Sequence, residues 1–365
     1  MSESQTTLFC PACNQTADPL DWRCPTCAGP LELTDLPPFD AAAIRDHEWS
    51  MWRYAAMLPT LRRFSLGEGM TPLVPTAVGD HQFLAKLDYL LPTSSYKDRG
   101  VALTLNYLLD QGVAEIVEDS SGNAGASTAA YAGGIGLKAR IFVPATAPAN
   151  KKQQISHFGA ELVEVEGSRA DVTTACENAA RTATYASHAW NPYFVAGQMT
   201  CAWEIWEQMG RRAPEAIAVP CGQGGLLLGL YEGFKKLLEA ELIKQLPRLY
   251  AVQSDAYDGI VRAWEAGADE PESARNGDTI ADGIRITKPV RGRAILTAIR
   301  ESDGAALRVK DHSIRAAQAA LARHGLFVEP TSATPAAALE AVQTHLGKKA
   351  EIVVPLTGSG LKATT

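Results

Sequence analysis

The sequence predicts an α/β protein with two doubly wound parallel-sheet domains, preceded by a small cysteine-bearing module. Apolar strands alternate with amphipathic helices from about residue 81 to residue 354, which implies crossover connections between parallel strands. The length of 365 residues exceeds the usual size of one domain. The first 35 residues differ from the rest because they hold two Cys-x-x-Cys pairs, and the proline-rich stretch 36–39 that follows them is typical of a linker.

Composition and charge exclude several classes of partner. Apolar residues make up 46% of the chain and charged residues 21%, which is ordinary for a globular protein. The net charge of -7, without a run of lysine or arginine, argues against binding nucleic acid or an anionic membrane surface. No stretch approaches the ~20 consecutive apolar residues that cross a bilayer, and the N-terminus lacks a signal region. We therefore expect a cytoplasmic protein that acts on small molecules.

The cysteine pairs predict a zinc ribbon over residues 1–35. Cys10 and Cys13 form one pair and Cys24 and Cys27 the other. Four thiolates around zinc allow a short segment to fold without a large core, and they leave no open coordination position, so the role would be structural. The alternative is a set of surface thiols without metal, because the spacer between the pairs is shorter than the common one.

Hydrophobic periodicity assigns the elements of the α/β region. Strands are predicted over 81–87, 114–117, 138–143, 161–165, 217–219, 249–252 and 352–354. Helices are predicted after Lys97 and over 124–136, 150–158, 227–242, 313–324 and 334–344.

The first chemical motif is the run Ser-Ser-Tyr-Lys-Asp-Arg-Gly at 94–100, between a strand and a helix. A lysine at such a place is often only a solvated helix start. A lysine that is buried at the end of a sheet instead becomes a nucleophile, because its ammonium form loses hydration, and it can then form an imine. Lys97 is therefore a candidate catalytic residue.

The second motif is Asp-Ser-Ser-Gly-Asn-Ala-Gly at 119–125, again between a strand and a helix. Glycine and asparagine here are typical of a plain turn. In a functional interpretation, Asn123 forms a hydrogen bond with a phenolic oxygen of a cofactor ring. The backbone N–H groups at the start of the helix then bind a substrate carboxylate.

Two further turns carry glycines. The run Pro-Cys-Gly-Gln-Gly-Gly-Leu at 220–226 precedes a helix, and its N–H groups suit a phosphate monoester. It matches neither the P-loop nor the dinucleotide fingerprint. The run at 355–362 follows the last strand, and a neutral hydroxyl of Thr357 or Ser359 could meet a pyridine nitrogen.

Together these turns resemble fold-type II pyridoxal phosphate (PLP) enzymes, the tryptophan synthase β-like group, and within it threonine synthases. The resemblance covers residues 60–362 and includes further motifs at 67–73, 191–193, 197–198 and 329–333. It implies a homodimer with a large PLP-binding domain over 36–100 and 198–365, and a small α/β domain over 101–197.

The resemblance also implies site roles. Lys97 would anchor PLP as an imine and later carry the substrate proton. The implied cofactor-binding residues besides Lys97 are Asn123, Gly222, Gln223, Gly224, Gly225, Leu226 and Thr357. The implied substrate-binding residues are Thr71, Ser94, Ser120, Ser121 and Gln198.

Two departures from the threonine synthase pattern leave the type of reaction undecided. After the Asn-Pro-Tyr motif, threonine synthases usually carry basic and acidic residues, whereas this chain has the apolar run that begins at Phe194. The segment 279–284, with Asp282, looks more like hydroxyamino-acid dehydratases, although Asp282 could simply cap a helix. The leading hypothesis is a threonine synthase-like lyase. The alternative is β-elimination or β-replacement, as in serine or threonine ammonia-lyases, diaminopropionate lyase or cysteate synthase; an inactive binding protein is the third.

Overall fold

The structure is a computed structural model that describes residues 6–147, 149–274 and 277–362. The backbone divides into two compact units: unit 1 comprises Met1–Gly69 and Leu91–Gly197, and unit 2 comprises Met70–Leu90 and Gln198–Thr364. The three-part domain division proposed from the sequence stays a prediction, and its positions 1–5, 148, 275–276 and 363–365 lie outside the described residues.

Thirteen strands and eleven α-helices are described within these ranges. The strands are β1 (Thr7–Cys10), β2 (Gln15–Ala17), β3 (Glu32–Thr34), β4 (Leu73–Val78), β5 (His81–Lys86), β6 (Glu115–Glu118), β7 (Lys138–Pro144), β8 (Glu161–Val165), β9 (Thr184–Tyr185), β10 (Ala216–Pro220), β11 (Arg248–Ser254), β12 (Ala305–Val309) and β13 (Ile352–Pro355). The helices are α1 (Lys97–Asp110), α2 (Asn123–Ile135), α3 (Ala149–His157), α4 (Arg169–Ala179), α5 (Pro192–Gln208), α6 (Gly225–Glu239), α7 (Gly259–Glu265), α8 (Gly292–Glu301), α9 (Asp311–Arg323), α10 (Pro330–Ala333) and α11 (Leu339–Leu346).

Unit 1 contains two sheets. The small one is antiparallel, in the order β2-β1-β3, and carries the cysteine pairs at its ends. The larger one is parallel, in the order β8-β7-β6-β9. Helix α4 begins with a capping box in which Ser168 and Asp171 satisfy each other's backbone N–H groups.

The cysteine module packs on the rest of unit 1 through aromatic contacts. The ring of Trp22 stands edge-on to Tyr185 and to Trp190, with ring centroids 5.1 Å apart in both cases. The hydroxyl of Tyr107 donates a 2.7 Å hydrogen bond to the carbonyl of Pro19. Edge-to-face aromatic pairs stabilise a contact beyond the burial of apolar area, and they do so in a defined geometry. The cysteine module is therefore held at a defined position on the rest of unit 1.

Unit 2 is built on a six-stranded sheet in the order β12-β11-β10-β13-β5-β4. Its central strands are parallel and buried on both faces, which explains why β10 is a continuous apolar run. Strand β4 pairs with β5 in the antiparallel sense and forms one edge of the sheet. Pro75 within β4 suits an edge, because proline cannot donate to a second neighbour.

Each element predicted from the sequence overlaps an observed one, with bounds that differ by at most a few residues, apart from one helix; the sequence does not predict β1–β4, β9, β12, α4, α5, α7, α8 or α10. The predicted α/β class and parallel sheets are confirmed. The helix predicted over 334–344 is observed only in part: α10 ends before it, a 3-10 turn follows over Ala336–Ala338, and α11 covers its second half. Pro335 explains the break, because it has no N–H with which to continue the backbone hydrogen bonds of α10. No helix in the described ranges is long and apolar enough to cross a membrane.

Candidate active site

Lys97 begins helix α1 after a turn in which Ser94 has the positive φ of 63°. Its side chain is partly buried, and its Nζ donates a 2.8 Å hydrogen bond to the hydroxyl of Tyr96. The same Nζ lies 4.6 Å from the ring centroid of Tyr96 and 5.2 Å from that of Phe194. Aromatic faces hold an ammonium group electrostatically, so the amine has a defined position.

Asp98 fixes the turn that precedes Lys97, and the sequence analysis missed it. This carboxylate is fully buried and accepts hydrogen bonds from the Thr93 N–H at 2.7 Å, the Thr93 hydroxyl and the Ser127 hydroxyl at 2.6 Å. Ser127 lies on α2, so the turn that carries Lys97 is tied to a second helix. A threonine five residues before an aspartate was the available signal.

The turn at 120–125 is held open by glycine. The Ser120 hydroxyl accepts a hydrogen bond from the Gly122 N–H at 3.3 Å, and Asn123 is the first residue of α2. A Cβ at Gly125 would lie 1.8 Å from the Ser120 carbonyl oxygen, so only glycine allows this approach. The first N–H groups of a helix have no acceptor within it, and they therefore suit an anionic ligand.

Two carboxylates stand at the end of strand β6, directly before this turn, and the sequence analysis did not single them out. Asp119 is buried and accepts hydrogen bonds from the Tyr185 hydroxyl at 2.7 Å and the Thr173 hydroxyl at 2.8 Å. It also pairs with Arg169 at 2.8 Å. Glu118, fully buried, contacts His188.

In unit 2 the glycine turn joins β10 to α6. Gly224 has a φ of 79°, and a Cβ there would lie 2.3 Å from Ile295 Cδ1. A Cβ at Gly222 would lie 3.1 Å from the Gly283 carbonyl. The side-chain oxygen of Gln223 accepts a 3.0 Å hydrogen bond from the Val290 N–H, which ties the turn to that residue. This glycine-rich turn before a helix N-terminus fits a phosphate group.

Thr71, Gln198 and Thr357 also lie in unit 2. The Thr71 hydroxyl donates a 2.7 Å hydrogen bond to Asp88. Gln198 is fully buried beside Gly229, where an added Cβ would lie 2.2 Å from Gln198 Cβ. The Thr357 side chain is buried, and its hydroxyl lies 3.2 Å from the Ser332 hydroxyl. A hydroxyl is a neutral hydrogen-bonding group, which suits a partner for a pyridine nitrogen.

A buried ion pair between Lys86 and Glu204 contacts the backbone carbonyl of Thr71. Lys86 Nζ donates to Glu204 Oε2 at 2.6 Å, to the Thr71 carbonyl at 2.6 Å and to Gln208 Oε1 at 2.9 Å. Both charged side chains are 0% exposed. Gln208 Nε2 adds a 2.8 Å bond to the same carbonyl. The backbone at Thr71 is therefore held by two donors from inside unit 2.

The four cysteines of the module form one cluster. Their sulfurs all lie within 4.8 Å of one another; Cys10 and Cys27 are 3.6 Å apart, and Cys13 and Cys24 are 3.9 Å apart. Four thiolates at ~2.3 Å from zinc stand about 3.8 Å apart, so the donor set fits a structural zinc ion. The other cysteines, Cys176, Cys201 and Cys221, are buried, as expected of core residues.

Each unit thus gathers part of the predicted site. Unit 1 holds Lys97, Ser94, Ser120, Ser121 and Asn123. Unit 2 holds Thr71, Gln198, Gly222, Gln223, Gly224, Gly225, Leu226 and Thr357. Their roles toward cofactor and substrate remain predictions.

The fold and these turns define a PLP-dependent enzyme. Residues 64–358 match the family described as pyridoxal-phosphate dependent enzyme, and the chain belongs to this family. More particularly, it is similar to threonine synthases. The one from Methanocaldococcus jannaschii is 32% identical over 97% of this chain and 92% of that protein. The one from Bacillus sp. is 34% identical over 85% of this chain and 89% of that protein. The crystal structure of a T.th. threonine deaminase has a TM-score of 0.69 and 28% identity, covering 79% of this chain and 92% of that chain.

Proposed function

We propose that the chain is a lyase of the threonine synthase type, which converts O-phosphohomoserine and water to threonine and phosphate. One observation carries this proposal: the threonine synthases of Methanocaldococcus jannaschii and Bacillus sp. are 32% and 34% identical to this chain over 97% and 85% of its length. Both the lysine turn and the glycine turn lie inside the matched family region, 64–358.

The proposed roles are those that the resemblance to threonine synthases implies for these residues. Bound PLP supplies an electron sink for the carbanion formed at the substrate α carbon. Lys97 anchors PLP and moves the α proton. The remaining cofactor contacts are assigned to Asn123 at the ring oxygen, to Gly222, Gln223, Gly224, Gly225 and Leu226 at the phosphate, and to Thr357 at the ring nitrogen. Thr71, Ser94, Ser120, Ser121 and Gln198 are assigned to the substrate.

The second candidate is β-elimination or β-replacement on a hydroxy-, amino- or phospho-substituted amino acid. It is favoured by the ring of Phe194, which lies 5.2 Å from Lys97 Nζ in the stretch where threonine synthases usually carry charged residues. A substrate phosphate dianion needs several donors, and an aromatic ring supplies none. The 28% identity to a threonine deaminase points the same way.

Product analysis separates the two candidates. The purified enzyme is incubated with O-phosphohomoserine, serine, threonine, diaminopropionate and phosphoserine, while phosphate, threonine, ammonia and keto acid are measured together. Threonine plus phosphate from O-phosphohomoserine supports the leading proposal. Ammonia and keto acid from another substrate, with O-phosphohomoserine untouched, would refute it in favour of the second. The Lys97→Ala variant is the control, and it should lose both the visible absorbance of the holoenzyme and turnover.

The proposal extends to zinc, assembly and location. We assign one structural zinc ion to Cys10, Cys13, Cys24 and Cys27, a homodimer to the active form, and the cytoplasm as its place. Metal analysis, light scattering and cell fractionation test these three assignments separately.

A further inference from the structure

A carboxyl group and an imidazole form a buried pair at the end of strand β6. Glu118 Oε1 and His188 Nδ1 are 2.7 Å apart. The Glu118 side chain is 0% exposed, and its second oxygen, Oε2, has no hydrogen-bond partner among the described residues. The His188 side chain is 15% exposed. A fully buried carboxylate with one bare oxygen is costly, so the pair is expected to hold a proton.

Burial favours this protonated, uncharged pair. Burial raises the pKa of Glu118 well above its usual range, and the negative charge of Asp119 adds to this, against the charges of Arg169 and Lys97 and a hydrogen bond from the His188 backbone. Burial lowers the pKa of His188 well below its usual range, and the positive charges of Lys97 and Arg169 add to this, against Asp119. A protonated Glu118 donates to Nδ1, and a neutral imidazole that accepts at Nδ1 carries its hydrogen on Nε2. His188 therefore offers Nε2–H as a donor.

This donor shares a neighbour with the reactive lysine. The His188 ring packs against the Phe194 ring with centroids 5.9 Å apart, and Lys97 Nζ lies 5.2 Å from the centroid of the same ring. Phe194 is itself fixed, because a Cβ at Gly100 would lie 2.4 Å from its ring. Within the described part of the chain, Nε2 of His188 makes no hydrogen bond, so it is available to a ligand.

We propose that His188, backed by Glu118, is the general acid that protonates the oxygen leaving group of the substrate held at Lys97. The inference rests on the proposed function, in which a phosphate or hydroxyl group departs. As the carbon–oxygen bond breaks, its electron pair stays on the leaving oxygen, which takes the proton of Nε2. Nδ1 then takes the proton of Glu118, and the pair, now singly negative, regains one proton from water after product release. His188 is the catalytic residue here, and Glu118 is a positioning residue that supplies the proton.

The test compares leaving groups that need a proton with one that does not. His188→Gln and Glu118→Gln are assayed with O-phosphohomoserine and serine, and with β-chloroalanine, whose chloride leaves unprotonated. General acid catalysis contributes ~10²–10⁴-fold, so we expect a loss in kcat of that order with the oxygen substrates and less than about threefold with β-chloroalanine. His157→Gln, an exposed histidine of the same unit, is the matched control and should leave all rates unchanged.

Two readouts do not depend on turnover. The visible absorbance of the holoenzyme should persist in both variants, which shows that they fold and take up the cofactor; His188→Asn replaces His188→Gln if it does not. Infrared spectra of the wild type at neutral pH should show a protonated carboxyl band that Glu118→Gln lacks. Absence of this band, or equal losses with all three substrates, would overturn the role of the pair. A wild type that consumes no oxygen substrate instead refutes the proposed function, and the infrared band still decides whether the pair holds a proton.

Discussion

Removing Lys86 should destabilise the protein far more than removing an exposed cation. In unit 2 all three protons of the Lys86 ammonium are used, by Glu204, the Thr71 carbonyl and Gln208, and both charged side chains are 0% exposed. Lys86→Met leaves Glu204 buried without its cationic partner, which costs ~3–5 kcal/mol. A cost of ~4 kcal/mol raises the unfolding constant roughly 700-fold.

Urea unfolding followed by tryptophan fluorescence measures this cost. Trp203 and Trp206 flank Glu204 on α5 and are almost fully buried, so their emission reports on this region. The control is Arg293→Met, because the Arg293–Glu270 pair is 67% and 58% exposed and such pairs contribute under about 1 kcal/mol.

A double variant separates the lost charge partner from lost packing. Lys86→Met combined with Glu204→Met removes the buried charge as well, and it should recover most of the loss. The reasoning fails if Lys86→Met costs no more than the control, or if the double variant is less stable than Lys86→Met alone by a further ~3 kcal/mol.

Three other outcomes are expected. Gly224→Ala forces a Cβ to 2.3 Å from Ile295 at a φ of 79°, so it should weaken PLP binding, measured by fluorescence titration, whereas Gly267→Ala, also at positive φ but in open space, should not. Cys13→Ser should lower bound zinc from one equivalent per chain toward zero by metal analysis, while Cys176→Ser leaves it unchanged. Because the pKa of Glu118 is raised in the folded chain, the folded chain keeps a proton that the unfolded chain releases above pH 4.5. The contribution of Glu118 to the free energy of unfolding is therefore full below pH 4.5 and falls as the pH rises. Glu118→Gln removes this dependence, and its melting temperature relative to wild type should rise between about pH 4 and about pH 7; a constant difference would contradict the assignment.

The sequence was informative wherever a local pattern determines the structure. Strand β8 was predicted with the bounds observed, 161–165, since its alternation is bounded by a glycine and a polar turn. Lys97, Asn123 and Gly224 stand at helix starts because strand-to-helix turns have recognisable residues. The break at Pro335 was missed because the apolar periodicity continues through it, and β4 was missed because its proline is tolerated only at a sheet edge, which the sequence does not reveal.

The missed site residues depend on contacts between distant parts of the chain. Glu118 and His188 are separated by 70 residues, and Lys86 and Glu204 by 118. In sequence each looks like an ordinary surface charge, since nothing local indicates that it will be buried. Asp98 is different, because its partner Thr93 lies only five residues away and was within reach of a turn analysis.

Because Trp22 packs against Tyr185 and Trp190, the cysteine module contributes to the solubility of the enzyme. If the chain were shortened to begin after residue 35, the aromatic side chains that now contact Trp22 would form an exposed apolar patch, which favours aggregation. Loss of the proposed zinc ion would have a similar effect, because it would loosen the module while leaving it attached. If the four cysteines hold the proposed zinc ion, metal supply would then affect how much of the protein aggregates.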